Sequence, residues 1–182
     1  MEAVKTHLKE KYQLTNYQIA QLGYLYKTAL SEISKLILMG ILFHNLFSEY
    51  LFSLAIMLVL RCFSGGLHFD TYLGCLLGSL LLMAASLLIL PPLMAEFSFS
   101  FPCLLLCMLS INCIGPVTSK YRPEYSKEHL KRCKRIVLCF ISFFSLLVYI
   151  MPDSRFIHIG VSVIILHTLQ LMAAKYIRKE NR

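Results

Sequence analysis

The sequence predicts an all-α protein, an integral membrane bundle of helices built as one domain over residues 1–182. Hydrophobic residues make up 57% of the chain, charged residues make up only 15%, and the mean hydropathy is +0.65. A soluble domain typically has roughly 25% charged residues. The apolar residues also form long runs separated by short polar segments, which is typical of helices that cross a bilayer. The composition therefore excludes an ordinary soluble domain.

Residues 1–28 are predicted to form an amphipathic helix at the cytoplasmic surface of the membrane. Lysine, tyrosine and aliphatic side chains are interspersed there, and such a mixture favours the headgroup region of a bilayer. Thr15 is a suitable N-cap for this helix. A solvated arm that leads into the first span is the alternative. Because the segment has no apolar core of the kind that a cleavable signal requires, we expect the N-terminus to be retained.

Six apolar runs follow and form the predicted transmembrane part, residues 29–175. The first two runs are separated by a predicted turn at Ser48-Glu49, and the third is expected to end at Pro91-Pro92, because proline interrupts a helix. The first two are short against the roughly 20 residues of a perpendicular span, so four full spans plus two shorter or re-entrant segments are the alternative. The runs are Ser31–Phe47, Tyr50–Leu60, Tyr72–Leu90, Phe99–Ile114, Ile136–Met151 and Phe156–Ala174.

The net charge of +8 comes mainly from polar segments between and after the runs. Residues 117–135 contain seven basic and two acidic side chains, and residues 176–182 form a basic tail. Under the positive-inside rule, both segments and both termini are predicted to be cytoplasmic. The basic loop 117–135 either binds anionic lipid headgroups or receives an acidic peptide. The candidate side chains for the peptide are Lys120, Arg122, Lys127, Lys131 and Arg132.

Reactive side chains are concentrated in residues 61–75, RCFSGGLHFDTYLGC. His68 precedes Cys75 by seven residues, and such a pair suffices for nucleophilic catalysis if the imidazole accepts the thiol proton. On one straight helix the two side chains would be ~10 Å apart along the axis, too far for proton transfer. We therefore predict a catalytic loop over residues 61–75, in which Gly65 and Gly66 allow the chain to turn back.

The loop is expected to lead into a new helix that begins near Asp70 or Thr71 and carries Cys75 in its first turns, where the helix dipole favours a thiolate. Backbone N–H groups at Cys75 and in the turn at Gly65-Gly66, called the glycine loop below, are the candidate oxyanion donors. Arg61 would cost roughly 2.5 to 3.5 kcal/mol at mid-bilayer if it were left alone. It anchors a helix end, braces the loop or holds a substrate carboxylate, with Asp70 as a local partner. Asp70 could instead cap the helix or orient His68.

Arg61, Gly65-Gly66, His68 and Cys75 follow the pattern R-x3-GG-x-H-x6-C, which resembles the core motif of the accessory gene regulator B (AgrB) family. The resemblance implies a bacterial cell-membrane cysteine endopeptidase, a thiol protease that needs no cofactor. It would remove the C-terminal tail of an AgrD-type quorum-sensing propeptide through a thioester on Cys75 and pass the core on as a cyclic thiolactone. The resemblance also suggests a homodimer.

A small non-enzymatic membrane transporter or peptide exporter is the alternative function, with Arg61 and His68 lining a polar path. The sequence has no HExxH zinc motif and no phosphate-binding P-loop, so a zinc protease and an ATP-driven pump are disfavoured. We predict neither a metal nor a nucleic-acid partner. Three further histidines lie alone in apolar runs, and each is predicted to pack with a backbone partner. They are His44, His158 and His167.

Overall fold

A computed structural model describes residues 15–66, 71–97, 99–117 and 126–180. These residues contain seven α-helices, and the only strand-like pairing among them is one isolated bridge. The predicted all-α membrane fold is therefore confirmed. The chain divides into two compact units, Met1–His44 and Asn45–Arg182, so the single domain over the whole chain stays a prediction.

In its described residues, the first unit contains one long helix, α1 (Asn16–Leu42). Thr15 caps it, as predicted: its hydroxyl accepts from the Gln18 N–H at 3.3 Å, and the Gln18 side chain accepts from the Thr15 N–H at 2.9 Å. The helix continues without a break past residue 28. The expected division between an amphipathic segment and a first apolar run falls within this one helix and stays a prediction, and residues 1–14 of the amphipathic segment lie outside the described residues.

The second unit contains six helices in its described residues. A 3-10 turn at His44–Leu46 precedes the first of them, so the turn expected at Ser48-Glu49 lies earlier in the chain. The helices are α2 (Phe47–Ser64), α3 (Tyr72–Ala84), α4 (Leu90–Phe97), α5 (Ser100–Ile114), α6 (Lys127–Ile150) and α7 (Arg155–Glu180).

Pro91-Pro92 do not end the third apolar run. A π-helical segment, Ala85–Ile89, connects α3 to α4, and the Leu90 N–H donates to the carbonyl of Ala85, five residues earlier. Both prolines thus occupy the first turn of α4, where a backbone N–H has no partner within its own helix. The wider π turn allows the chain to continue as helix through two residues that would interrupt a regular one.

The segment expected to be a loop at 117–135 is helical from Lys127 onward. Ser126 is the N-cap, and its hydroxyl accepts from the His129 N–H at 3.2 Å. Glu128 in the first turn also suits the positive end of the helix dipole. The fifth apolar run is therefore the continuation of a helix that begins in the basic segment.

Four described helical stretches are long and apolar enough to cross a membrane, and α5 is a shorter apolar helix. In the most apolar part of the α7 stretch, 61% of the residues are buried inside the protein, against 17 to 33% in the other three stretches. The helix α7 packs against α2, α4, α5, α6 and the π-helical segment, so it is the centre of the second unit. The four stretches are His44–Ser64, Tyr72–Ala95, Lys127–Ile150 and Arg155–Ile177.

Contacts between helix ends fix the relative directions of three helices. Glu49 in the first turn of α2 forms an ion pair with Arg155, the first residue of α7, at 3.4 Å. Near the other end of α7, the ammonium of Lys175 donates to the carbonyl of Ile114, the last residue of α5, at 3.0 Å. Helices α2, α5 and α7 therefore run in the same direction, and their C-termini lie at one end of the bundle.

Candidate catalytic site

Cys75 lies in the first turn of α3. The helix begins at Tyr72 with Thr71 as its N-cap, and the Thr71 hydroxyl accepts from the Gly74 N–H at 3.2 Å. The Cys75 N–H donates to the Thr71 carbonyl at 3.1 Å, and the Cys75 side chain is partly exposed. The structure thus confirms the predicted start of the helix and the predicted position of the cysteine within it.

Gly65 ends α2 in a conformation that favours glycine. Its φ angle is +79° and its N–H donates to the Arg61 carbonyl at 3.1 Å. A Cβ atom on Gly65 would lie 2.0 Å from the carbonyl oxygen of Val117. Both the left-handed backbone and the close approach of Val117 therefore require glycine at this position.

Val117 connects the glycine loop to the beginning of the basic segment. Its N–H donates to the Ser64 carbonyl at 2.9 Å, and Gly65 and Val117 form an isolated parallel bridge. Val117 follows α5 by way of Gly115, which has a φ angle of +71°. Nothing in the sequence paired the reactive segment 61–75 with the basic segment 117–135. In the structure, Ser64 and Gly65 of the first contact Val117 at the beginning of the second.

Two lysines hold the end of α5 beside this bridge. The ammonium of Lys134 donates to the Asn112 carbonyl at 2.7 Å, and that of Lys175 donates to the Cys113 and Ile114 carbonyls at 3.4 and 3.0 Å. The last carbonyls of a helix lack partners within the helix and carry its negative dipole end, so cations there are stabilising. Lys134 and Lys175 thus stabilise the helix end from which Val117 extends.

Arg61 lies against the second glycine of the pair. Gly66 is buried, and a Cβ atom built on it would lie 3.5 Å from Nε of Arg61. This position favours the interpretation in which Arg61 braces the loop over the one in which it only anchors a helix end. The predicted partner of Arg61 lies outside the described residues, as do three other candidate site residues. These four are His68, Asp70, Lys120 and Arg122.

A contact between α7 and the glycine loop was not predicted. His167 is fully buried, and its Nε2 atom lies 2.6 Å from Oγ of Ser64, the residue before Gly65. The expectation of a backbone partner for His167 is therefore wrong. Because 103 residues separate the two side chains, no local pattern could have paired them. The only signal in the sequence was a histidine inside an apolar run.

The remaining candidate peptide-binding residues lie on the first two turns of α6. Lys127, Lys131 and Arg132 are all exposed, so a charged ligand can reach them. A thiol and an imidazole also meet on this helix: Sγ of Cys133 lies 3.4 Å from Nε2 of His129. Within the described parts of the chain, no group of three or more His, Cys, Asp or Glu side chains could hold a metal ion.

Comparison with known proteins assigns the family. No curated protein and no solved structure matches the chain. The family model for Accessory gene regulator B matches residues 2–171, which is nearly the whole chain and includes the glycine loop, Cys75 and α6. The protein therefore belongs to the AgrB family, and this membership supports a role in the processing of agr quorum-sensing propeptides.

Proposed function

We propose that this protein is a membrane cysteine endopeptidase that removes the C-terminal tail of an AgrD-type propeptide, with Cys75 as nucleophile and His68 as general base. The observation that carries the proposal is the placement of Cys75 at the start of its own helix, after a break that follows α2 at Gly65. His68 lies between the two helices in the sequence. The separation of ~10 Å that a single straight helix would impose therefore does not apply.

In the first half of the reaction, His68 accepts the proton of the Cys75 thiol and the thiolate attacks a peptide carbonyl of the propeptide. The C–N bond of that peptide breaks, and His68 gives its proton to the departing amine. The tail leaves with a new amino terminus, and the leader and core remain on Cys75 as a thioester. No metal or redox partner takes part in this balance.

In the second half, the cysteine of the propeptide core attacks the thioester as a thiolate. The bond to Cys75 breaks, a new thioester closes the ring, and the Cys75 thiolate recovers its proton. The exchange is nearly neutral because one thioester replaces another. Water has to be kept from the acyl-enzyme during the exchange, and a site at one end of a membrane bundle favours this exclusion.

The developing oxyanion needs donors other than two of the expected amides. The Cys75 N–H donates to the Thr71 carbonyl and the Gly65 N–H donates to the Arg61 carbonyl. Both N–H groups already donate to backbone carbonyls four residues earlier, so they do not point to the oxyanion. The first residues of α3 have N–H groups without partners inside the helix, and Leu73 supplies such a group beside Cys75.

The basic residues of α6 are suited to hold an acidic propeptide tail. Lys127, Lys131 and Arg132 are exposed, and Lys120 and Arg122 belong to the same basic segment. That segment begins beside Val117, which is bonded to the glycine loop. Lys134 of α6 also contacts the end of α5 from which Val117 extends, so a tail bound to the first turns of α6 would lie at the same end of the bundle as Cys75. Binding to anionic lipids, a homodimer and a site on the cytoplasmic side are further parts of this proposal.

The test is cleavage of the cognate propeptide by purified protein in lipid vesicles, followed by mass spectrometry of the tail fragment. Wild type should release the tail, and Cys75→Ala and His68→Ala should not. Cys62→Ala is the matched control, since Cys62 is an exposed cysteine of α2 that has no role in the mechanism. Normal cleavage by Cys75→Ala would overturn the proposal.

A further inference from the structure

Ser64, the last residue of α2, forms hydrogen bonds with two residues that are distant in the sequence. Its hydroxyl meets the imidazole of His167 at 2.6 Å, and its carbonyl accepts the N–H of Val117 at 2.9 Å. Ser64 and His167 are 1% and 0% exposed. A hydrogen bond between helices inside a membrane bundle contributes to their packing. These contacts fix both the side chain and the backbone of the residue that precedes Gly65.

The proton of the Ser64 hydroxyl decides the direction of the contact with His167. Oγ of Ser64 also lies 2.6 Å from the carbonyl oxygen of Leu60, which can only accept. The hydroxyl proton therefore goes to Leu60, and His167 has to donate its Nε2–H to Ser64. In the neutral ring this leaves Nδ1 of His167 as an acceptor, and no described residue bonds to it.

A second buried serine, Ser145, makes the same bond within its helix as Ser64 does, but no described histidine bonds to it. Ser145 of α6 is also buried, and its hydroxyl donates to the Ile141 carbonyl, four residues earlier, at 3.0 Å. Ser64 makes the same kind of bond to Leu60. A serine needs no histidine to satisfy its hydroxyl inside a helix. The bond from His167 therefore adds a link between α7 and the end of α2, and this link lies one residue from the glycine that starts the loop.

We propose that His167 is a positioning residue for peptide cleavage: by donating to Ser64 it fixes the residue before Gly65, and His68 follows that glycine by three residues in the sequence. The inference rests on the proposed cysteine endopeptidase activity. His167 acts through Ser64 and touches neither the propeptide nor the reacting atoms. Because a misplacement of about 1 Å can lower a rate by roughly 100-fold, a small shift at Ser64 has a large kinetic effect.

The experiment compares four variants in the propeptide cleavage assay. Ser64→Ala and His167→Leu should lower kcat by about 10- to 100-fold with KM nearly unchanged, since Gly65 shifts while the exposed basic side chains of α6, which are proposed to bind the tail, do not. His167→Gln should retain activity within about threefold of wild type, because the glutamine amide can donate to Ser64. Ser145→Ala should retain the wild-type kcat. Equal losses in Ser145→Ala and Ser64→Ala would overturn the proposal.

The double variant Ser64→Ala/His167→Leu tests whether the two residues act as one unit. Its kcat should equal that of the less active single variant, because the second substitution removes a contact that the first has already broken. Losses that multiply would show two independent effects and would also overturn the proposal.

Hydrogen exchange at the Val117 amide tests the positioning role without using catalysis. The amide should exchange at least about tenfold faster in Ser64→Ala and His167→Leu than in wild type, and at the wild-type rate in Ser145→Ala and His167→Gln. If wild type cleaves no propeptide, the endopeptidase proposal fails, and the exchange rates still decide whether His167 holds the loop. Unchanged exchange in His167→Leu would overturn that role.

Discussion

Gly65 and Gly66 are adjacent in the sequence, but the structure places different demands on them. Gly65 has a φ angle of +79°, and a Cβ atom there would lie 2.0 Å from the Val117 carbonyl oxygen. At Gly66 the nearest atom to such a Cβ is Nε of Arg61 at 3.5 Å, an ordinary van der Waals distance. Sequence reasoning read the two as one flexible pair. Gly65 is the residue at which the bridge to Val117 requires glycine.

Alanine substitutions should separate the two requirements at Gly65. Gly65→Ala should lower the free energy of unfolding by the ~1 to 2 kcal/mol of a left-handed residue plus the cost of displacing Val117. Gly115→Ala is the matched control, because its φ angle is +71° but a Cβ atom there meets nothing within 4 Å. Gly115→Ala should lose only the ~1 to 2 kcal/mol of the left-handed backbone, because no atom has to be displaced. Gly66→Ala should lose the least stability of the three variants. Chemical unfolding in detergent micelles measures the free energy of unfolding of each.

An equal loss of stability in Gly65→Ala and Gly115→Ala would contradict this account. It would mean that Val117 can move away from Gly65 at no cost, and that the bridge does not fix the loop.

At the residue scale, local patterns predicted what local interactions decide. The capping residue Thr71 and the place of Cys75 in the first turn of α3 follow from a polar cap before an apolar run. The bonds from Val117 and His167 to Ser64 could not be predicted, because each joins residues distant in sequence. Their geometry depends on how complete helices pack.

Helix α2 and the π-helical segment share a buried polar contact. Oγ of Ser53 lies 3.3 Å from Oγ of Ser86 and 3.2 Å from Sδ of Met83, and both serines are fully buried. The Ser86 hydroxyl also donates to the Met83 carbonyl at 2.9 Å. A polar contact of this kind positions one helix against another where the surroundings are otherwise apolar.

We expect the two serines to be energetically coupled. Ser53→Ala and Ser86→Ala should each lower the free energy of unfolding, and the double variant should lose less than the sum, with a coupling of about 0.6 kcal/mol. Unfolding in a lipid bilayer measures the cycle. Strict additivity would show that the two hydroxyls do not interact.

The exposed basic residues of α6 should act on substrate affinity. Lys127→Glu and Lys131→Glu should each raise KM for the propeptide by about fivefold with kcat nearly unchanged, since an exposed ion pair is worth at most ~1 kcal/mol. Cleavage kinetics at low and high salt measure the effect, which should weaken with salt. A propeptide whose acidic tail residues are changed to amides is the control, and the substitutions should not affect its KM.

If the same substitutions lower kcat and leave KM unchanged, the basic surface does not bind the tail in the ground state.

At the element scale, the sequence predicted helices well and their ends less well. The run before Pro91-Pro92 was expected to stop there, whereas the π-helical segment carries the helix onward to Phe97. Sequence rules describe the usual effect of proline in a regular helix. They do not anticipate a change of helical pitch that places both prolines in a new first turn. The same limit applies to α6, whose polar beginning looked like a loop.

Across the second unit, the described residues of the proposed reaction lie at one end. Helices α2, α5 and α7 end there, and α3 and α6 begin there, where Lys134 of α6 contacts the end of α5. The Glu49–Arg155 ion pair marks the opposite end. This arrangement agrees with the alternation of basic and less basic polar segments in the sequence, from which the positive-inside rule predicts a cytoplasmic site.

Cysteine labelling tests that sidedness. In a cysteine-depleted background, Ser126→Cys should react with a membrane-impermeant maleimide only in inverted vesicles, and Asp153→Cys only in right-side-out cells. Ser126 is the N-cap of α6, Asp153 lies in the turn between α6 and α7, and both residues are exposed. Labelling of Ser126→Cys in intact cells would place the basic segment, and the site with it, on the outer face.

The whole-molecule fold followed from composition, because the bilayer leaves few alternatives to a helical bundle. The family resemblance rested on a handful of residues, and the family model extends it to residues 2–171. The position of α7 at the centre of the second unit could not be predicted from hydropathy. Apolar runs that face lipid and apolar runs that face other helices have similar composition.

The most direct test of the cysteine mechanism is to trap the acyl-enzyme. A propeptide whose core cysteine is changed to alanine can be cut but cannot be passed on, so the thioester should accumulate on wild-type protein in lipid vesicles. Peptide mass mapping should find the leader and core attached to Cys75 through a hydroxylamine-sensitive bond, and His68→Ala should show no adduct. Release of the tail without an adduct, or an adduct on another cysteine such as Cys62, would contradict the account.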